Sequence, residues 1–130
     1  MIIIEAIYVG LLVLSIGIII IRFIKGLLGY FIIGFLKHLL GYYLGIQDYY
    51  CNYGDRCMKI NEINRGQLKA KGDNIIKESL LEGIVFVILG LVIGLVINDE
   101  YLLLFLIGFK IHIISEMTGI HLYFCNYNCK

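Results

Sequence analysis

The sequence predicts an all-α integral membrane protein whose four hydrophobic helices form two tandem, duplicated helical hairpins related by a parallel pseudo-twofold. Three observations carry this. Of the 130 residues, 60% are hydrophobic and none is proline, against roughly 45–50% apolar in an ordinary soluble domain. The apolar residues lie in four long runs divided by charged turns. The stretch at 33–53, IGFLKHLLGYYLGIQDYYCNY, returns at 107–127 as IGFKIHIISEMTGIHLYFCNY, with ten of 21 positions identical. They are Ile33/Ile107, Gly34/Gly108, Phe35/Phe109, His38/His112, Gly45/Gly119, Ile46/Ile120, Tyr49/Tyr123, Cys51/Cys125, Asn52/Asn126 and Tyr53/Tyr127. A repeat of this kind sets the architecture ahead of any local signal. It divides the chain into repeat 1 (1–57), a polar connector (58–78) and repeat 2 (79–130).

The first run, 2–21, has about 20 apolar residues, enough at 1.5 Å per residue to cross a ~30 Å hydrocarbon core. It has no basic leader, carries Glu5 and lacks a small-x-small cleavage site. It therefore reads as a retained membrane helix rather than a signal peptide. Arg22 and Lys25 close it. The second run, 26–46, holds glycines at 26, 29, 34, 41 and 45. These would weaken a soluble helix, but in a membrane they let helix backbones approach. Lys37 and His38 lie mid-run, and the short join to the first run makes an antiparallel hairpin.

Residues 47–79 are the long polar stretch. We expect an ordered cysteine loop, a surface helix around 60–70, and a turn at Gly72-Asp73-Asn74. The third run, 80–97, includes Gly90 and Gly94, a GxxxG pair that favours close crossing. Glu82 and Gly94 match Glu5 and Gly17 at an offset of 77, which extends the duplication to the first helix. After the polar turn Asn98-Asp99-Glu100, the fourth run starts at Tyr101 and is purely apolar to Phe109. Lys110 then interrupts it, and its correspondence with the second run is what makes it a span.

Each hairpin returns the chain to its starting side, so both termini and both cysteine motifs share one face. The basic connector assigns that face to the cytoplasm by the positive-inside rule, although the tips Arg22/Lys25 and Asp99/Glu100 differ in sign. Net charge is +1, which gives no global field for nucleic acid. The expected partners are the bilayer, proteins gripped by the Tyr/Cys loops, and a second copy of the chain.

Cys51-x5-Cys57 and Cys125-x3-Cys129 are disulfide candidates. Bridges within each loop would staple short segments that lack a core. A four-cysteine metal site shared between repeats and free thiols are the alternatives, and the spacing is not the CxxC of structural zinc. His38 and His112 hold equivalent places in hydrophobic runs, where an ionisable group is a functional candidate. The bland reading makes each a neutral tie between helices. As midplane groups, His38, His112, Lys37 and Glu116 would suit a small channel or transporter.

The second copy reads Gly108-Phe109-x2-His112-x3-Glu116-x-Thr118-Gly119-Ile120, about a tenth of the chain. This resembles the membrane-bound metal-dependent hydrolase family, in which a helix carries a His and, four residues on, an acid. The resemblance implies a metal such as zinc on His112 and Glu116, with His38 a further candidate. A second resemblance is one of style. A short, Pro-free, Ile/Tyr/Asn-rich multi-pass chain with duplicated cysteine loops looks like the small membrane proteins of large DNA viruses with a lipid layer. That resemblance implies a virion membrane component joining capsid proteins to lipid, in viruses that often supply their own thiol oxidase. The His occurs twice and the carboxylate once, so the shared residues read as fold determinants. The main expectation is a structural anchor, with no catalytic residue and no resident cofactor.

Overall fold

A computed structural model describes residues 2–60, 63 and 66–130. Among them are seven helices: α1 Ile2–Ile20, α2 Leu27–Tyr43, α3 Ile46–Tyr53, α4 Asp55–Ile60, α5 Ile75–Gly94, α6 Glu100–Met117 and α7 Ile120–Tyr127. No strand occurs among the described residues, and Ala70 and Cys129 form one isolated antiparallel bridge. The chain is thus all-α. The cysteine motifs lie on or beside helices α3, α4 and α7, where the sequence suggested loops. The surface helix expected around 60–70 falls partly on 61, 62, 64 and 65, which lie outside the described residues. Residues 66–70 are turn, bend and extended chain.

Local chemistry sets the helix ends. Asp99 caps α6, its side chain accepting from the N–H groups of Tyr101 at 3.0 Å and Leu102 at 3.1 Å. This satisfies two of the donors that a helix start leaves free. α2 and α6 both stop before a left-handed glycine, Gly45 at φ 77° and Gly119 at φ 81°. Only glycine takes that conformation without a Cβ penalty. The following helix then turns sharply, α3 by 70° from α2 and α7 by 73° from α6. α5 begins five residues before the third apolar run, taking in Lys77 and Glu78. It ends at Gly94, where Val96 and Ile97 turn back onto the Ile93 carbonyl.

α1, α2, α5 and α6 form an up-down-up-down bundle. α1 packs chiefly on α6, and α2 on α5, with lighter α1–α2 and α5–α6 contact. Each close pair is antiparallel and joins the first helix of one hairpin to the second helix of the other. Small residues permit this. A Cβ on Gly10 would lie 2.7 Å from the Phe105 ring, and one on Gly83 would lie 2.8 Å from the Phe31 ring. Gly17 abuts Leu104, and Gly90 abuts Tyr30. Gly34 sits against Phe86 and the Glu82 carbonyl, Gly108 against Val13 and the Val9 carbonyl.

These contacts relate α1 to α5 by an offset of 73 and α2 to α6 by 74. The four buried residues of α1 (Ala6, Gly10, Val13, Gly17) match four of the five of α5 (Ser79, Gly83, Phe86, Gly90, with Ile75 besides) at the same 73. The offset of 77 read from sequence is thereby corrected: Gly17 corresponds to Gly90 and Glu5 to Glu78. Two hydrophobic helices slide past each other in alignment at little cost in similarity, whereas helix contact admits one register.

The bundle core is Val13, Ile33, Phe86, Leu103, Leu104, Ile107 and Ile111. Outside it the flanks are apolar and exposed, with Tyr8, Leu11 and Ile19 on α1, and Ile84, Ile88 and Leu91 on α5. Soluble monomers rarely expose contiguous apolar surface on this scale. By length and composition α1 can cross a membrane, and up to three spans result if α2–α3 and α6–α7 each count as one broken span. α5 carries Lys77, Glu78 and Glu82 within its 20 residues.

Candidate functional site: a polar junction under a disulfide cap

All the charged groups buried in the bundle lie within about two turns of one end. Over that end sit α3, α4, α7 and residues 66–74, forming a cap. Its core is Cys51, Cys57, Cys125, Cys129, Leu68 and Ala70, packed by Tyr42, Tyr50 and Phe124.

The cysteines pair across the cap, Cys51 with Cys129 and Cys57 with Cys125. Bridges within each motif, the first expectation, do not form. Nor is there a four-cysteine metal site or a free thiol among the described residues. The reason is geometric. α4 packs on α7, which brings Cys57 to Cys125. The bridge between Ala70 and Cys129 leads the chain end along the connector to Cys51. Cys51 is bonded to Cys129 and Cys125 to Cys57, so the CNY cysteine of each motif is bonded to the second cysteine of the other.

Asn52 and Asp48 tie the connector to α3. The Asn52 side chain accepts from Gly66 N–H at 2.8 Å and Leu68 N–H at 3.0 Å, and donates to Leu68 O at 2.9 Å. Asp48 accepts from Ala70 N–H at 2.6 Å. The counterpart of Asn52, Asn126, is exposed, so identity in the CNY triplet does not imply a common role.

Beneath the cap are two polar clusters. In the first, the Lys37 ammonium meets Glu82 Oε1 at 2.5 Å, and His38 Nδ1 meets Glu82 Oε2 at 2.5 Å. His38 Nε2 lies 3.2 Å from Glu78 Oε2, and Asn128 donates to the other Glu78 oxygen at 3.1 Å. Gln47 donates to the His38 carbonyl at 3.3 Å. The cluster clamps α2 to α5. In the second, His112 Nε2 lies 3.1 Å from Glu5 Oε2, and Asp55 N–H donates to Glu5 Oε1 at 2.7 Å. Arg56 Nε donates to Glu116 Oε1 at 2.6 Å, and His121 Nδ1 lies 2.9 Å from Glu116 Oε2. The His112 and His121 rings sit 4.6 Å apart. This cluster clamps α1 to α6, and α6 to α4 and α7.

The His38–Glu78 and His112–Glu5 contacts correspond, as do Gln47 and His121. Each joins a helix of one hairpin to a helix of the other. Burial holds the His121 imidazole below its ordinary value, helped by His112 and Lys37 and opposed by Glu116. Burial also pushes the Tyr50 phenol well up, reinforced by Glu5, Glu116 and Asp55.

Of the metal candidates, His112 is turned to Glu5, Glu116 to Arg56 and His121, and His38 to Glu78 and Glu82. No group of three or more His, Cys, Asp or Glu among the described residues is placed to hold a metal. Sequence reasoning singled out both repeated imidazoles. It missed the carboxylates opposite them, together with Arg56, His121, Asp48 and Asn52. An available signal was Glu5/Glu78: an acid near the start of each first helix faces an imidazole near the end of each second helix. Compared with family models, curated proteins and solved structures, the chain matches none.

Proposed function

We propose that this chain is a structural membrane anchor: two duplicated hairpins, α1–α2 and α5–α6, span the bilayer and hold a rigid cap at one face for a protein partner. The observation that carries this reading is the division of the molecule. Four helix flanks are apolar and exposed, and every buried charge is gathered beneath a cap stapled by two disulfides between its halves. His38 and His112, which a transporter would need free at the midplane, lie toward one end of the bundle and are engaged in ties between helices. Each tie leaves its carboxylate partnered, which keeps the polar groups tolerable near lipid.

The outer rim of the cap is aromatic. Tyr49 and Tyr53 on α3 pack at 5.0 Å, and Tyr123 and Tyr127 on α7 at 4.7 Å. All four are exposed. Tyrosines in such positions suit a headgroup layer and also grip protein surfaces. The basic connector favours a cytoplasmic cap, whereas disulfides favour an oxidising one. A lipid-containing viral particle with its own thiol oxidase reconciles the two, with the capsid layer as partner.

The test is extraction. The chain should stay in membranes washed with carbonate, and in mild detergent a stoichiometric protein partner should co-purify. Substitution of Tyr49 and Tyr53 should release that partner without releasing the chain from the membrane. A chain that washes off with carbonate sinks the reading.

A further inference from the structure

We infer that the cap carries a binding site for the headgroup of one zwitterionic phospholipid, a phosphodiester bearing an amine; this rests on the membrane reading above. A cavity of about 230 Å³ opens between α7, the start of α5 and the 71–74 turn. Its charged lining is Lys71, Lys130, Asp73 and Glu78, and its aromatic lining is Tyr123 and Tyr127.

Three of the four charges are exposed and, among the described residues, unpaired. Glu78 is engaged by His38 and Asn128. Lys71, Lys130 and Asp73 form no ion pair among the described residues. Two lysines and an aspartate thus line a common hollow without pairing with one another. The wall that carries them is fixed. Lys71 N–H donates to Asn128 O at 2.7 Å, and Lys130 N–H donates to Lys69 O at 3.0 Å. Between those two rungs, Cys129 is bonded to Cys51.

A zwitterion matches this set. Its phosphate sits between the two lysines as charge-assisted acceptor. Its ammonium faces Asp73 and the Tyr123/Tyr127 rings, whose faces attract a cation. The source is a lipid because the aromatic wall belongs to α7, which directly follows a span. Ile120 and Leu122 on that helix are exposed apolar residues.

The experiment uses the full, oxidised chain, delipidated in detergent, with native mass spectrometry as readout. The probes are phosphatidylethanolamine, phosphatidylglycerol (phosphate without amine) and soluble glycerophosphoethanolamine. The expected result is one retained phosphatidylethanolamine per chain, with weaker phosphatidylglycerol and no soluble analogue. Lys71→Gln with Lys130→Gln should reduce retention about tenfold or more. Asp73→Asn should bring the two lipids to parity. Unchanged migration on non-reducing gels shows that the variants fold. Equal retention of both lipids by the native chain, or retention unmoved by the lysine pair, overturns the site. Equal binding of the soluble analogue overturns the lipid as its source. Carbonate extraction separates the two readings: a chain that stays in the membrane but shows no preference loses only this inference.

Discussion

Replacing Gly34 or Gly108 with alanine tests the helix pairing directly, because the clash involves atoms that cannot step aside. At Gly34 the added Cβ would lie 2.7 Å from Phe86 Cγ and 2.9 Å from the Glu82 carbonyl oxygen. At Gly108 it would lie 2.8 Å from Val13 Cγ2, 2.8 Å from the Val9 carbonyl oxygen and 2.9 Å from Gly10 Cα. Backbone atoms stand in the way in both cases, so the helices must separate locally. Overpacking of this kind costs about 1–3 kcal/mol. Alanine also gains up to ~1 kcal/mol of helix propensity over glycine, which would mask part of the loss. Gly41 supplies the control. It is buried in α2, but an added Cβ there meets nothing closer than 3.9 Å. The Gly41→Ala variant collects the propensity gain alone.

The difference between Gly34→Ala and Gly41→Ala therefore isolates the contact and should be about 1–3 kcal/mol. Gly34 and Gly108 belong to different helix pairs, so the double variant should lose close to the sum. Denaturant or thermal unfolding in detergent measures it, with the disulfides intact. If Gly34→Ala is as well tolerated as Gly41→Ala, the α2–α5 packing described above is wrong.

Three further outcomes follow from the cap and its junction. The disulfides span 78 and 68 residues and are nested. With either one intact, the other closes a ring of only about ten residues, so removing one pair by alanine substitution should cost about 3 kcal/mol and removing both about 7. Equal losses for one pair and for two would refute the nesting. His121, held below its ordinary value of 6.5 by burial, resists a proton that the unfolded chain accepts. Its contribution to stability is complete above about pH 6.5 and is lost as pH falls toward the folded value. His121→Gln, which copies Gln47, should flatten the fall in melting temperature between about pH 7 and 5, and an unchanged slope would assign it elsewhere. The buried hydroxyls of Tyr50 and Ser79 have no hydrogen-bond partner among the described residues, and their counterparts are Phe124 and Ala6. Tyr50→Phe and Ser79→Ala should be neutral or stabilising by about 1 kcal/mol, and a loss beyond that would reveal a hidden partner.

The sequence by itself determined the helical class and the four long helices, and it carries ten identities between 33–53 and 107–127. Apolar runs and repeated identities are local signals that need no tertiary information. The left-handed turns at Gly45 and Gly119 were not part of the sequence reading, which gave the glycines of the second run to helix contact and carried its helix through Ile46. Partnership was not legible. Cys51 has Cys57 six residues away, yet its bond runs to Cys129. Glu116 lies one turn from His112, yet it bonds Arg56 and His121. The 77-residue offset looked as good as 73 because hydrophobic helices resemble one another at many registers. Only the tertiary structure decided these, because each depends on which helix faces which. That choice is made by glycine-sized gaps and by carboxylates and imidazoles meeting across separate hairpins, which spacing along the chain does not encode.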